Sequence, residues 1–346
     1  MKRILVTGGA GFIGSHTCLA LLEKDYELWI IDSLVNSSSL ALDRVKKLTK
    51  NGHNIFFFKG DIRNRNFLSE VFTKAYDSGN PVMGVLHFAG LKAISESISK
   101  PFKYWEVNVV GTMNLLSVMK ENNCNTIVFS SSATIYGISN DLPIKESNII
   151  RSINPYGTTK IVVEKLLKDI FLSSPTKYRI CSLRYFNPIG AHDTGLIGEC
   201  PKGMPTNIFP LIMKAAKGKI RQLKIYGKDW DTPDGTAIRD YIHVMDVADG
   251  HVLALEYLLK NEPQIINLNL GTKKGTSVLE LINTFEDVNN IKVPYEYSSR
   301  REGDYRTVIA DNKKASSIIG WSPKRSLKEM CIDGWKWQCS NPEGYF

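Results

Sequence analysis

Short apolar, β-branched runs alternate with stretches of helical period through the first half of the chain. Ile4-Leu5-Val6 is followed by a helical pattern from Phe12 to Leu22, and Leu28-Trp29-Ile30-Ile31 is a second buried run that ends at Asp32. Residues 55–58, 84–88, 126–129 and 180–183 repeat the theme, with helical patterns around 66–77, 98–120 and 155–171 between them. None of these runs shows the alternation of a sheet with one wet face. Such strands, separated by helices, predict a parallel sheet covered on both sides: a doubly wound, Rossmann-type α/β fold.

The second half has a different texture. From Asn187 to Asp240 the chain is rich in Gly, Pro, Asp and Thr, with a short helical pattern near 209–216. A helix from about Val247 to Leu259 and a buried strand at Ile265–Leu270 are expected to return to the main sheet. The pattern therefore predicts a doubly wound domain over 1–186, rejoined by about 241–270, and a smaller mixed α/β lobe within 187–346. Ligands of such sheets lie outside the carboxyl ends of the strands.

Composition narrows the class. Of 346 residues, 43% are hydrophobic and 23% charged, which excludes disordered, collagen-like and coiled-coil chains. No apolar run approaches the ~18 residues of a membrane span. The start, Met1 to Gly9, has an apolar run of only three residues, Ile4 to Val6, before its glycines, too short for a signal peptide. A cytoplasmic location and no membrane partner are expected. Lys plus Arg number 44 against 35 Asp plus Glu, a net charge of +9 that favours anionic ligands. The basic residues lie in small scattered groups, so solvated faces and a phosphate-bearing ligand are expected rather than nucleic acid. Six widely spaced cysteines with no Cys-x-x-Cys pair read as reduced, mostly buried thiols, and no metal is expected.

Thr7-Gly8-Gly9-Ala10-Gly11-Phe12-Ile13-Gly14 follows the first strand and opens the first helix. Gly9, Gly11 and Gly14 fit G-x-G-x-x-G; Gly8, Gly11 and Gly14 fit G-x-x-G-x-x-G. Glycines there permit a tight turn and close approach of backbone to a pyrophosphate, which the helix N-terminus then attracts. Asp32, 18 residues after Gly14, stands where an acid hydrogen-bonds the adenosine ribose and repels a 2′-phosphate, selecting NAD over NADP. Gly60-Asp61-Ile62 ends the third strand similarly. Tyr156 and Lys160, four apart on a helix, share one face. A neighbouring ammonium and the positive nicotinamide would lower the phenol's pKa toward the working range. Ser132, in the run Ser130 to Thr134 after the fifth strand, could share the proton.

With these residues in view, the chain resembles the extended short-chain dehydrogenases/reductases, and within them the UDP-glucose 4-epimerases. Thr7 to Thr17, His87 to Lys92, Ser130 to Thr134, Arg184 to Pro188, Arg239 to Val244, Arg300 to Asp304 and Trp335 to Gln338 carry the resemblance, which covers essentially the whole chain. It implies NAD held by Gly8, Gly11, Phe12, Ile13, Gly14, Asp32, Asn36, Asp61, Ile62, Phe88, Ala89, Gly90, Lys92, Asn108, Lys160 and Phe186. Tyr156 would be the proton acceptor, with Ser132 assisting. UDP-glucose or UDP-galactose would be held by Asn187, Asn207, Ile208, Tyr226, Arg239, Arg301 and Asp304, the two arginines being fork-shaped donors suited to a pyrophosphate. Hydride would leave C4′ and return to its other face through a 4-ketopyranose, so binding energy must come from the nucleotide rather than the rotating hexose. The family is commonly homodimeric.

Alignment on Arg301–Asp304 places Val308 where members that exclude N-acetylhexosamines carry tyrosine. This small residue implies activity on UDP-GlcNAc and UDP-GalNAc too. A nucleotide-sugar 4,6-dehydratase would need an Asp-Glu pair where Ser132-Ala133-Thr134 stands. Three rivals remain: a decarboxylase or another nucleotide-sugar epimerase of the superfamily, from which only pocket residues differ, and a cofactor-sensing protein without catalysis, against which the intact Ser132, Tyr156 and Lys160 argue.

Overall fold

The structure, a computed structural model, describes residues 1–346 except Asn140, Met204, Glu302 and Phe346. In the first half the strands are β1 (Arg3–Thr7), β2 (Glu27–Asp32), β3 (Ile55–Lys59), β4 (Val82–His87), β5 (Thr126–Ser132) and β6 (Arg179–Tyr185). Later come β7 (Asn187–Ile189), β8 (Leu223–Tyr226), β9 (Ile238–Arg239), β10 (Tyr241–His243) and β11 (Gln264–Leu270). The last are β12 (Thr276–Ser277), β13 (Tyr295–Ser298) and β14 (Thr307–Val308). The helices run from α1 (Phe12–Leu22), α2 (Ser39–Leu48) and α3 (Arg65–Asp77) through α4 (Ile94–Ser99), α5 (Pro101–Tyr104) and α6 (Gly111–Glu121). They continue as α7 (Pro155–Ser173), α8 (Ile208–Ala216), α9 (Val244–Lys260), α10 (Val278–Asn289), α11 (Lys313–Ile319) and α12 (Leu327–Ser340).

The chain divides into two compact units. The first comprises Met1–Gly137, Ile150–Arg184 and Ala248–Leu268; the second comprises Ile138–Ile149, Tyr185–Val247 and Asn269–Phe346. A seven-stranded sheet has the order β11-β6-β5-β4-β1-β2-β3. The pairs β1/β2, β1/β4, β2/β3 and β4/β5 are parallel. This is the doubly wound Rossmann-type sheet, with β11 returning beside β6. The chain moves outward from β1 to β3 and then crosses back to β4, so the strand order reverses between β1 and β4, where such sheets bind ligands.

The unbroken apolar runs are strands because both faces are covered. Ile4, Leu5, Val6, Leu28, Ile30 and Ile31 are all 0% exposed, each burial contributing roughly 1.5–3 kcal/mol. Helix α3 supplies part of the cover through Leu68, Val71, Phe72 and Ala75, spaced along one helical face.

The structure departs from the sequence pattern in two places. The helix expected over 98–120 is interrupted: Pro101 opens α5, and the preceding Lys100 is driven out of the helical region (φ −132°, ψ 58°). A π-helical stretch, Trp105–Val110, then leads into α6. The segment Ile138–Ile149 belongs to the second unit, not the first. Ile144 N–H donates to Ile309 at 2.8 Å and Asp311 N–H donates to Ile144 at 2.7 Å, so strand-like pairing captures the segment.

In the second unit β7 and β10 pair in parallel, as do β8 and β13, and β9 lies between β12 and β14. Its core is built by Phe209, Ile212, Leu281, Ile282, Phe285 and Met330 of helices α8, α10 and α12. Among the described residues, no helix is long and apolar enough to cross a membrane.

Candidate active site

In the first unit the glycine loop is shaped by how close its backbone comes to its neighbours. Gly8 has φ +74°, and a Cβ there would lie 2.6 Å from Ala89 N. A Cβ on Gly14 would lie 2.2 Å from the Gly8 carbonyl oxygen. The loops after β1 and β4 are thus in backbone contact, held by Phe88 N–H and Ala89 N–H donating to the Thr7 carbonyl at 2.9 and 3.0 Å. Helix α1 begins at an extended Gly11 with no side-chain cap and no acid in its first turn, while Gly11, Phe12 and Ile13 are only half-buried. Its first-turn N–H groups and positive dipole end thus meet no acid from the helix's own first turn. A narrow cradle of donors with glycine at each close approach fits a dinucleotide pyrophosphate.

Asp32 at the end of β2 is buried. Its carboxylate accepts from Ala10 N–H (3.0 Å), Leu34 N–H (2.9 Å) and the Ser37 hydroxyl (2.8 Å). Three of about four lone-pair positions are filled, leaving room to accept one ribose hydroxyl without rearrangement. Asn36 nearby is exposed. Asp61 is engaged by Arg63, whose Nη2 lies 2.8 Å away and whose guanidinium holds the carboxyl below the usual range. The side chain of Ile62 is packed in the core and fills the space left by Gly111.

Asn108 sits in the π-helical stretch and grips the loop after β4. Its Oδ1 accepts from Leu91 N–H at 2.8 Å; its Nδ2 donates to the Leu91 carbonyl and the Thr159 hydroxyl, both at 3.0 Å. It orders the exposed Gly90 and Lys92 with its side chain rather than reaching outward. A Cβ on Gly90 would stand 3.1 Å from Asn108 Oδ1 and 3.8 Å from Lys160 Nζ. Behind this, His87 meets the Thr7 hydroxyl at 2.6 Å and the Thr112 hydroxyl at 2.8 Å. Burial, with the Lys160 charge, takes His87 down to about 3, so the imidazole is neutral.

Helix α7 carries the candidate pair Tyr156 and Lys160. Asn154 caps it by accepting from Gly157 N–H at 2.9 Å, and Pro155 takes the first position, where a missing N–H costs nothing. Tyr156 consequently occupies the first turn, at the positive end of the helix dipole. One turn on, buried Lys160 donates to the Ser130 carbonyl at 2.7 Å, its ammonium 5.9 Å from the Tyr156 ring centre and 4.8 Å from that of Phe129. Ser132 ends β5, touches the Thr134 hydroxyl and hydrogen-bonds Tyr156. Burial raises the phenol above its ordinary 10, and the Ser132 bond opposes that rise. Lys160 is brought down to about 8 by burial, against the opposing charge of Glu164. The expected lowering of Tyr156 is thus not achieved by Lys160 alone. A hydroxyl, a phenol and an ammonium converging at a strand's carboxyl end can take a proton from an alcohol and return it.

The second unit gathers most of the remaining residues. Arg239 on β9 pairs with Asp304 and donates to the Ile238 and Tyr305 carbonyls, each at 2.8 Å. A phosphate on Arg239 must therefore compete with Asp304. Val308 on β14 lies in register with Arg239. Exposed Arg301 stacks 4.3 Å over the Tyr226 ring. Asn207 precedes α8 without capping it, and its amide lies 3.5 Å from Glu199 Oε1; Ile208 opens that helix. Asn187 N–H donates to the Asp240 carbonyl at 3.1 Å and Phe186 N–H to Leu270 at 3.3 Å. Glu302 of the Arg300–Asp304 run lies outside the described residues.

A model of the family described as GDP-mannose 4,6 dehydratase matches residues 5–333. The UDP-glucose 4-epimerase of Bacillus subtilis (strain 168) is 47% identical over 342 residues, covering 99% of this chain and 98% of that relative. The chain belongs to the UDP-glucose 4-epimerase family. The epimerase of Stenotrophomonas maltophila, solved with NAD and formylated UDP-arabinopyranose, superposes with a TM-score of 0.94 at 41% identity over 99% of both chains. That of Bifidobacterium longum, solved with NAD+ and UDP, gives 0.93 at 42% identity over 99% of this chain and 100% of its own.

Sequence reasoning within the family frame missed the supports of the site. His87, Thr112 and Thr159 form its polar backing, while Glu164 and Arg184 form a buried ion pair beside Lys160. One signal was available: Glu164 repeats the four-residue step from Tyr156 to Lys160 and follows the apolar run Ile161-Val162-Val163. An acid on a buried face needs a partner.

Proposed function

We propose that the protein is an NAD-dependent UDP-glucose 4-epimerase, interconverting UDP-glucose and UDP-galactose through a 4-ketopyranose. The observation that carries this reading is Tyr156, hydrogen-bonded to Ser132 and flanked by Lys160, in the same unit as the glycine cradle. NAD would lie along Gly8 to Gly14, Asp32, Asn36, Asp61, Ile62, Phe88 to Gly90, Lys92, Asn108, Lys160 and Phe186. When bound, it supplies a nicotinamide that takes up and gives back a hydride, and a positive charge that favours phenolate.

The chain's own residues manage the proton. Tyr156, as phenolate, accepts the 4′-hydroxyl proton, and Ser132 holds that hydroxyl and the phenol in line. Lys160 and the α7 dipole stabilise the negative oxygen, lowering the cost of a base whose burial works against it. Returning the same proton to the ketone oxygen completes the cycle with no net redox change. Arg239 and Arg301 would hold the UDP diphosphate, with Asn187, Asn207, Ile208, Tyr226 and Asp304 completing the nucleotide site. Small Val308 supports acceptance of UDP-GlcNAc and UDP-GalNAc as well.

A homodimer is part of this reading, supported by apolar side chains left in water on α4 to α6: Ile98, Phe102 (84% exposed), Val110 and Met113. So is a cytoplasmic location. The test is to incubate purified protein with UDP-galactose, without added NAD, and separate the sugar nucleotides by chromatography. UDP-glucose is the expected product. Absence of conversion with NAD added would overturn the epimerase reading.

A further inference from the structure

The pairing of α7 with the end of β5 extends one turn beyond the proposed catalytic pair. Tyr156, Lys160 and Glu164 recur every four residues and so form one stripe on α7, with steps of about 6 Å. Each member meets one of three consecutive serines. Ser132 hydrogen-bonds Tyr156, the Ser130 carbonyl accepts from Lys160 Nζ at 2.7 Å, and the Ser131 hydroxyl donates to Glu164 Oε1 at 2.6 Å. Glu164 is itself fixed from β6. Arg184 Nε donates to Oε1 at 3.0 Å and Nη2 to Oε2 at 2.5 Å, while Nη1 donates to the Tyr136 hydroxyl at 2.9 Å. Tyr136 closes the short turn that starts at Ser132. The ion pair is almost wholly buried, its side chains 1% and 8% exposed.

A buried ion pair is a poor source of net stability, because desolvation cancels much of its attraction. What this one does is geometric: a two-pronged clamp lets neither residue shift without breaking several bonds. We propose that Glu164, clamped by Arg184 and bonded to Ser131, is a positioning residue that sets the register of α7 on β5, and so aligns Tyr156 with Ser132 and Lys160 with Ser130. The function assigned to Glu164 rests on the epimerase reading; the register itself does not. The groups that surround the stripe are His87 on β4, Tyr104 on α5, Tyr136, and Arg184 on β6. His87 is neutral and Arg184 is matched by Glu164. Loss of the Ser131 bond therefore changes alignment without adding or removing charge.

Ser131→Ala is the direct test, since Glu164 keeps both Arg184 contacts and the smaller side chain fits the same space. Ser182→Ala is the matched control: Ser182 is buried on β6 and its hydroxyl has no hydrogen-bond partner among the described residues. Two readouts are taken. In UDP-galactose turnover, Ser131→Ala should lose about tenfold in kcat with KM within about twofold, whereas Ser182→Ala should match wild type. In an ultraviolet titration of tyrosinate, with Tyr156→Phe as the blank, the Tyr156 midpoint should rise by about one pH unit in Ser131→Ala, because misalignment weakens the Ser132 bond to the phenolate. Unchanged kcat and unchanged midpoint in a folded Ser131→Ala protein would overturn the proposal, as would equal losses in Ser182→Ala. If wild type fails to turn over UDP-galactose while the midpoint still moves, the substrate reading falls and the positioning role stands.

Discussion

Gly8→Ala tests the claim that close backbone contact builds the nucleotide cradle. Its Cβ would meet Ala89 N at 2.6 Å and Phe88 C at 2.9 Å, so backbone must give by about 0.8 Å to reach the 3.4 Å of ordinary contact. Nothing flexible lies in the way to absorb the change. Three costs combine. The left-handed backbone at φ +74° costs a residue with a Cβ about 1–2 kcal/mol. Overpacking costs about 1–3 kcal/mol. Weakening the two bonds to the Thr7 carbonyl costs about 1 kcal/mol. These are not strictly additive, and roughly 3–5 kcal/mol is expected. At ~2.1 cal/mol/K per residue over 346 residues, that lowers the melting midpoint by about 4–7 °C. Gly79→Ala isolates the dihedral cost: its φ is +75°, but a Cβ there meets nothing within 4 Å. Scanning calorimetry of both variants, with NAD content measured after purification, provides the comparison. Gly8→Ala should melt several degrees below Gly79→Ala and retain little NAD. Equal melting and equal NAD content in the two variants would refute the reasoning.

Three further outcomes are expected. Tyr156→Phe removes the proposed proton acceptor without changing shape and should cut kcat by about 10²–10⁴, with NAD retained and the fold intact; turnover near wild type would revive a non-catalytic role. Lys160→Met should abolish useful turnover yet stabilise the protein at pH 7. The gap between about 8 in the folded chain and the ordinary 10.5 amounts to about 3 kcal/mol of burial cost, less the lost bond to Ser130. That cost is fully present below pH 8 and fades as pH rises toward 10.5, so the two unfolding curves should converge in alkali; a constant offset would contradict it. Val308→Tyr should depress turnover of UDP-GlcNAc relative to UDP-glucose, read as a ratio of kcat/KM values, and an unchanged ratio would dismiss Val308 as a specificity determinant.

Local chemistry made much of this protein legible in its sequence. Unalternating runs such as Ile4-Leu5-Val6 require cover on both faces, so a parallel sheet with flanking helices followed from them. Gly8 to Gly14 after a strand, and Tyr156 four residues before Lys160, are short-range patterns whose geometry a turn or one helical turn imposes. Asp32 at a strand end was visible for the same reason. These features depend on neighbours within a few residues, and backbone sterics carry that information directly.

Other features depended on which distant segments meet. No local pattern indicates that Ile138–Ile149 pairs with Ile309 and Asp311 rather than with the strands around it. Nothing near Asn108 in the chain predicts that its amide is spent on Leu91 and Thr159, nor does anything near Arg239 reveal Asp304 as its partner. The direction of the Tyr156 and Lys160 shifts was likewise a tertiary outcome: the one-turn spacing predicts attraction, but the depth of burial decides how far each is driven from its ordinary value. Residue types and their spacing determined the fold class and singled out the candidate reactive groups. Packing determined their ionisation, their partners and their alignment, because desolvation and hydrogen-bond competition are properties of the space around a side chain rather than of its place in the chain.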